Sequence, residues 1–99
     1  MPKAEKLSRE EIESALRELP GWRLMDAKLI AEFKFKTFPE AFSFMTRVAF
    51  EAERRDHHPD WTNSYNRVRI ELTTHDAGGV TRNDLDLARA VAEIDWTGG

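Results

Sequence analysis

Residues 29–45 of the chain read LIAEFKFKTFPEAFSFM and contain two hydrophobic periods, one directly after the other. In the first half, apolar and polar positions alternate, which predicts a β-strand with one face toward solvent. The second half opens with Thr37-x-x-Glu40, the spacing of a capping box, which predicts the start of a helix. The predicted core positions of the strand are Leu29, Ala31, Phe33 and Phe35, and the predicted solvent positions are Ile30, Glu32, Lys34 and Lys36.

Two further helices are predicted from capping boxes at Ser8-x-x-Glu11 and Thr81-x-x-Asp84. In each box a hydroxyl stands at the N-cap and a carboxylate follows three residues later. The three predicted helices begin after Ser8, Thr37 and Thr81; the first is stopped by Pro20-Gly21, and the second and third reach about Arg55 and Ile94, respectively.

Each predicted helix has an apolar face at about 100° per residue. Phe50 falls outside the stripe of the central helix. The first helix is predicted to bury Ile12, Ala15, Leu16 and Leu19; the second Ala41, Phe42, Phe44, Met45, Val48, Ala49 and Ala52; and the third Leu85, Ala88, Val91 and Ala92.

Strands are predicted in two pairs, residues 22–24 with 29–36 and residues 61–65 with 67–74. Short connections favour antiparallel pairing, and the apolar face of such a sheet must be covered by helices. The predicted fold is therefore α+β: a four-stranded antiparallel sheet with three helices on one face, in the order α-β-β-α-β-β-α. A chain of 99 residues is expected to be a single domain, residues 1–99.

Composition excludes several classes of function. The formal net charge of −3 argues against direct, sequence-independent nucleic-acid binding, which needs a clustered basic surface. The absence of cysteine excludes disulfides and thiolate chemistry. No apolar run approaches the roughly 20 residues of a membrane helix, and the polar N-terminus does not resemble a signal peptide. A cytoplasmic location is expected by default.

All three histidines fall between residues 53 and 84, and two of them, His57 and His58, are adjacent. Histidine is the side chain best suited to exchange protons near neutral pH. If the central helix continues far enough, Glu53 lies one turn before His57 and orients its ring. The alternative for His57 is a solvated residue at a helix end. Pro59 disfavours helical geometry at His58, so the two rings are expected to point in different directions.

The remaining candidates have plausible structural alternatives. His75 extends the polar face of the last predicted strand, where it could donate a proton or simply face water. Asp84 could serve the site or only complete its capping box. Trp61 and Tyr65 could stack on a planar ligand, although aromatic residues at strand spacing are more often in a core. A zinc site of His57 or His58 with His75 and Asp84 is a possible alternative but is not favoured, because adjacent histidines before a proline form an awkward chelate.

The combined pattern resembles the pterin-4a-carbinolamine dehydratase family. The resemblance covers nearly the whole chain and is most specific between residues 53 and 84. It rests on Glu53-x-x-x-His57-His58-Pro59, on the surrounding Asp56-His57-His58-Pro59-Asp60-Trp61 and Tyr65-Asn66-Arg67-Val68, and on His75 and Asp84.

The resemblance implies an enzyme that removes water from 4a-hydroxytetrahydropterin to give quinonoid dihydropterin, in the recycling of tetrahydrobiopterin for aromatic amino-acid hydroxylases. It implies that His57, His58 and His75 are the catalytic imidazoles and that Glu53 and Asp84 support the pterin pocket, with Trp61 as a further candidate for substrate contact. Proton transfer by His58 and His75, with His57 binding the pterin and able to share in the transfer, requires neither a metal nor an organic cofactor.

The same resemblance implies a homodimer or homotetramer formed through the long helix, a contact that Phe50 fits. It also leaves two alternatives open. One is a dimerisation module that acts as a transcriptional coactivator. The other is a dehydratase-like enzyme that acts on a different pterin.

Overall fold

The computed structural model describes residues 4–94, which form three α-helices and a four-stranded antiparallel sheet. The α+β class and the order α-β-β-α-β-β-α are as predicted. No helix in this range is long and apolar enough to span a membrane. The elements are α1 (Arg9–Leu16), β1 (Arg23–Met25), β2 (Lys28–Lys34), α2 (Phe38–Arg54), β3 (Asp60–Ser64), β4 (Arg67–Leu72), a short 3-10 helix (His75–Ala77) and α3 (Arg82–Ala92).

The three helices begin where the capping boxes predict them. Ser8, Thr37 and Thr81 each stand at an N-cap, and each makes the reciprocal pair of hydrogen bonds with the acidic residue three positions later. A capping box gives partners to backbone N–H groups that the first helical turn leaves unsatisfied. The local sequence is therefore sufficient to set these three helix starts.

The strand order in the sheet is β1-β2-β4-β3, and all neighbours are antiparallel. Asp60, the first residue of β3, lies opposite Glu71, near the end of β4. The segment that enters β3 carries His58, and the segment that leaves β4 carries His75. The sheet register therefore brings these two histidines to the same end of the sheet.

The helices pack on one face of the sheet. Phe44 of α2 lies against Phe33 and Phe35, with ring centroids 4.8 and 5.0 Å apart, respectively. The fully buried large side chains of this core come from β2, β4, α2 and α3 and from the segment before α3, and they are Leu29, Phe44, Val48, Val68, Ile70, Leu72, Val80, Leu87 and Val91.

The opposite face of the sheet carries charged side chains, but it is not wholly exposed. Ile30, predicted to face solvent, is only 3% exposed. It lies opposite Arg23 on one side and Glu71 on the other, whose long side chains can cover an apolar neighbour. The ion pairs on this face are Arg23–Glu32, Glu32–Arg69, Arg69–Glu71 and Glu71–Lys28.

Several predicted burial positions were wrong. Phe42 is 56% exposed, and Ala49 and Ala92 are exposed. Leu87, which was not predicted to be buried, has no exposed surface. The buried faces of α2 and α3 are thus rotated slightly about the helix axis from the predicted ones, because periodicity alone does not specify which edge of a broad apolar stripe meets the sheet.

Candidate active site

The end of α2 determines where the two adjacent histidines point. The helix ends at Arg54, and Asp56 adopts a left-handed conformation with φ of 49°. The N–H of His57 donates to the carbonyl of Ala52, and the N–H of Asp56 donates to that of Glu53, both at 3.1 Å. This pair of bonds is a Schellman motif, which turns the chain sharply out of the helix.

The predicted pairing of Glu53 with His57 is wrong. Because the helix ends before His57, the two side chains do not share a helical face. Glu53 instead lies 3.0 Å from Nε2 of His58, measured from its Oε1 atom. The divergence of the two imidazoles, predicted from Pro59, is confirmed, since each ring meets a carboxylate on a different helix.

His57 meets Asp84, whose Oδ1 atom lies 2.5 Å from Nε2 of the imidazole. The His57 side chain is 13% exposed, and that of Asp84 is completely buried. The other carboxylate oxygen, Oδ2, accepts from the hydroxyl of Thr74 and from the N–H of Thr81, both at 2.8 Å. Asp84 therefore completes its predicted capping box and also holds His57. Because it is buried, it contributes to the site through His57.

The two other histidines are much more exposed. The His58 side chain is 59% exposed and that of its partner Glu53 is 81% exposed. His75 is 80% exposed, and its Nε2 atom lies 3.7 Å from Oδ2 of Asp60. This separation allows an electrostatic interaction but is too long for a hydrogen bond. Each imidazole thus has one carboxylate neighbour, and the one at His75 is the weakest of the three contacts.

Asp60 was missed in the sequence, although it lies only two residues after His58. The available signal was its place immediately before a predicted strand, residues 61–65, which pairs with the strand that leads to His75. The position of His75 also differs from the prediction. The last strand ends at Leu72, and His75 opens the 3-10 helix instead of closing the strand.

An open cavity of about 390 Å³ connects the three histidines. Its volume falls within the usual range for small-molecule sites. Its walls come from the α2–β3 connection and from the segment after β4. The lining residues are Asp56, His57, His58, Pro59, Asp60, Thr73, Thr74, His75 and Asp76.

The two aromatic residues considered for ligand stacking, Trp61 and Tyr65, lie outside the histidine cavity. Trp61 is partly buried and packs against the hydrophobic core, on the sheet face that meets the helices. Tyr65 is 64% exposed and follows the last residue of β3, at the end of the strand away from His58. Neither residue lines the histidine cavity, so the prediction that Trp61 contacts substrate gains no support from this arrangement.

Within residues 4–94, no group of three or more histidine, aspartate and glutamate side chains is arranged to hold a metal ion. The fold and the cavity together define a small α+β protein with a histidine–carboxylate site suited to proton transfer. Residues 5–94 match the family model described as pterin 4 alpha carbinolamine dehydratase. The chain belongs to this family.

Relatives and solved structures support the assignment. A Rhodopseudomonas palustris (strain BisB18) protein named "Putative pterin-4-alpha-carbinolamine dehydratase" is 54% identical over 91 residues, covering 90% of each chain. A protein of the same name from Christiangramia forsetii is 49% identical over 89 residues, which cover 90% of this chain and 92% of the relative.

A crystal structure titled as a transcriptional coactivator/pterin dehydratase from Brucella melitensis superposes with a TM-score of 0.85 at 45% identity. The match covers 88% of this chain and 95% of that one. A pterin dehydratase-like protein identified as a RuBisCO assembly factor in the alpha-carboxysome superposes with a TM-score of 0.55 at 20% identity, covering 75% and 89% of the two chains. The second similarity concerns the fold alone.

Proposed function

We propose that this protein catalyses the dehydration of 4a-hydroxytetrahydropterin to quinonoid dihydropterin and water. The observation that carries the proposal is the convergence of His57, His58 and His75 on one open cavity, in a chain of the pterin-4a-carbinolamine dehydratase family. Such an enzyme would act in the cytoplasm and return the pterin used by an aromatic amino-acid hydroxylase to a form that a reductase can accept.

The reaction needs one acid and one base. The acid protonates the hydroxyl oxygen on C4a, the C4a–O bond breaks, and water leaves. Electrons from a ring nitrogen form the new double bond as the base takes the N–H proton, so the products balance the substrate. Each positioned proton transfer typically contributes about 10²- to 10⁴-fold to the rate.

The surroundings of the three rings support different roles. His58 and His75 are exposed at the cavity and would carry the proton transfers. His57 is held by Asp84 through Nε2, so Nδ1 is the ring nitrogen left to meet the pterin. In this role His57 binds the substrate and can share in taking its proton.

The test is the turnover of enzymatically generated 4a-hydroxytetrahydropterin, with the spontaneous dehydration rate subtracted. The wild-type protein should accelerate the reaction, and His57→Ala, His58→Ala and His75→Ala should each lower the rate. An exposed substitution outside the cavity, Arg17→Ala, serves as the matched control. Near-normal rates for both His58→Ala and His75→Ala would contradict the proposed roles of these two histidines. If the wild-type protein does not accelerate the dehydration, the proposed reaction is wrong. Turnover of a different pterin in its place would support the dehydratase-like alternative.

A second candidate function is protein binding. Helix α2 exposes Phe38, Phe42 and Phe50 at 44%, 56% and 67%, respectively, and the Brucella melitensis relative is titled as a coactivator as well as a dehydratase. The rings of Phe38 and Phe42 have centroids 6.0 Å apart, and exposed apolar side chains that lie together are typical of interaction surfaces. The exposed surface of α2 would form the contact between subunits of a homodimer or homotetramer. In the coactivator alternative, it would bind a transcription factor. A genome that lacks an aromatic amino-acid hydroxylase would favour this second function over pterin recycling.

A further inference from the structure

Thr74 occupies a fixed position between β4 and the 3-10 helix. Its backbone N–H donates to the carbonyl of Gly79 at 3.0 Å, and its own carbonyl accepts from Ala77 and Gly78 at 3.1 Å. Its hydroxyl oxygen lies 2.8 Å from two other oxygens, Oγ1 of Thr81 and Oδ2 of Asp84. The hydroxyl therefore joins the capped start of α3 to the wall of the histidine cavity.

The available protons determine the direction of these hydrogen bonds. The Asp84 carboxylate can only accept, so the single hydroxyl proton of Thr74 is donated to it. The short contact between the two threonines must then use the proton of Thr81, which donates to Thr74. Thr81 in turn accepts from the N–H of Asn83 at 3.2 Å. The reverse direction would leave two buried oxygens 2.8 Å apart with no proton between them, which is costly.

These hydrogen bonds determine that Asp84 presents a hydrogen-bond acceptor, Oδ1, to His57. Its Oδ2 atom already accepts from the Thr74 hydroxyl and the Thr81 N–H. Its Oδ1 atom faces Nε2 of His57, which must be the donor. A neutral His57 is then protonated at Nε2 and has an unprotonated Nδ1, because the bond made by one ring nitrogen selects the tautomer.

We infer that Thr74 is a positioning residue that selects the Nε2-protonated tautomer of His57 by holding the Asp84 carboxylate in one orientation. Thr74 is not required to touch the pterin in this role. Without its hydroxyl, Oδ2 keeps only the Thr81 N–H as a donor, so the orientation of the carboxylate toward the imidazole is less restricted. The inference deepens the proposed dehydratase function, because an unprotonated Nδ1 is what His57 needs to accept a proton from the substrate.

The test compares Thr74→Val, which removes the hydroxyl but keeps the branched shape, with Thr74→Ser, which keeps the hydroxyl. Long-range ¹H–¹⁵N spectra of the imidazoles report the tautomer directly and do not depend on catalysis. We expect a single Nε2-protonated tautomer of His57 in the wild-type protein and in Thr74→Ser, and a mixture in Thr74→Val. Thr73→Val is the matched control: Thr73 also lines the cavity, but its hydroxyl donates to the carbonyl of Ala27, so the tautomer of His57 should not change.

Turnover provides the second readout. Thr74→Val should lower it by roughly 10- to 100-fold, the range found when the partner that orients a metal-bound imidazole is removed. Thr74→Ser should recover most of the rate. If Thr74→Val does not fold, both measurements are made on Thr74→Ala, which lacks the same hydroxyl.

A single Nε2-protonated tautomer in a folded variant that lacks the hydroxyl would overturn the inference, whatever its activity. A wild-type protein without dehydratase activity would instead overturn the proposed function, while a tautomer change in Thr74→Val would still support the positioning role. The two failures are therefore distinguishable.

Discussion

Nε2 of His57 lies 2.5 Å from Oδ1 of Asp84, although 27 positions separate the two residues in the chain. His57 belongs to the C-terminal cap of α2, and Asp84 belongs to the N-terminal capping box of α3. The contact therefore joins two helix caps whose backbone geometry is already fixed by hydrogen bonds. A catalytic group benefits from such support, because its ring is oriented before a substrate arrives.

Asp84→Asn should be the most damaging single change of a carboxylate at the site. Three donors meet Asp84, namely Nε2 of His57, the hydroxyl of Thr74 and the N–H of Thr81. The amide nitrogen of asparagine cannot accept from any of them, so either a buried donor loses its partner or His57 is forced into the other tautomer, with Nε2 accepting from the amide. We expect turnover to fall by about 10²-fold and the free energy of unfolding to fall by about 1–3 kcal/mol.

Turnover and urea unfolding measure the two effects. The control is Asp86→Asn, which changes an exposed carboxylate of the same helix that pairs with Arg89. Its effect on either measurement should be small. Normal turnover by Asp84→Asn would show that the contact with His57 is not needed for catalysis.

Glu53→Gln should have a weaker effect than Asp84→Asn. Both Glu53 and its partner His58 are largely exposed, and exposed ion pairs contribute only about 0–1 kcal/mol to stability. We expect stability close to that of the wild type and a loss of turnover smaller than about 10-fold. Glu13→Gln on α1, which loses an exposed pair with Arg9, is the matched control for stability. A loss of activity as large as that of Asp84→Asn would contradict this order of importance.

The helix starts and the order of elements could be predicted from the sequence, because their signals are local. Thr37 and Glu40 lie three positions apart, and the hydrogen bonds between them need no help from the rest of the fold. Alternation along β2 is equally local. The burial of Ile30 was missed, since it depends on long side chains of the neighbouring strands and not on its own sequence context.

The composition of the site was easier to predict than its pairing. The three histidines and two of their carboxylate neighbours could be selected from the sequence. The predicted pairing of Glu53 with His57 is wrong because the turn at Asp56 is left-handed, a conformation that usually requires glycine or asparagine. The link to Asp84 depends on how α2 and α3 pack, and the proximity of Asp60 to His75 depends on the register of β3 and β4.

The charged face of the sheet should contribute pH-dependent stability through Glu71. The guanidinium of Arg69, 3.0 Å away, and then the ammonium of Lys28, 3.3 Å away, lower the pKa of the Glu71 carboxyl from its ordinary 4.5. A carboxyl with a lowered pKa in the folded state stabilises the protein above the unfolded value, and this contribution is lost as pH falls through the folded value.

Glu71→Gln should therefore reduce the free energy of unfolding near pH 7, by no more than about 1 kcal/mol because the pair is partly solvated. Below the folded pKa of Glu71, the variant and the wild type should have similar stability. Urea unfolding at both pH values measures the difference, with Glu18→Gln on the opposite side of the core as a control. If the difference in free energy of unfolding between the wild type and Glu71→Gln grows as the pH falls, the prediction is contradicted.

The exposed aromatic residues of α2 should control self-association if the protein forms the proposed homo-oligomer. Phe42 and Phe50 are 56% and 67% exposed, and Phe42 contacts Phe38 with ring centroids 6.0 Å apart. Burying such side chains between subunits contributes about 1.5–3 kcal/mol for each residue, and a carboxylate in the same place would have to be desolvated. Phe42→Glu and Phe50→Glu should therefore shift the protein toward smaller species in sedimentation velocity, while the fold seen by circular dichroism stays intact. Tyr65→Gln replaces an exposed aromatic residue at the β3–β4 turn and should leave the mass unchanged. A wild-type monomer, or an oligomer that survives both α2 substitutions, would exclude this helix face as the contact between subunits.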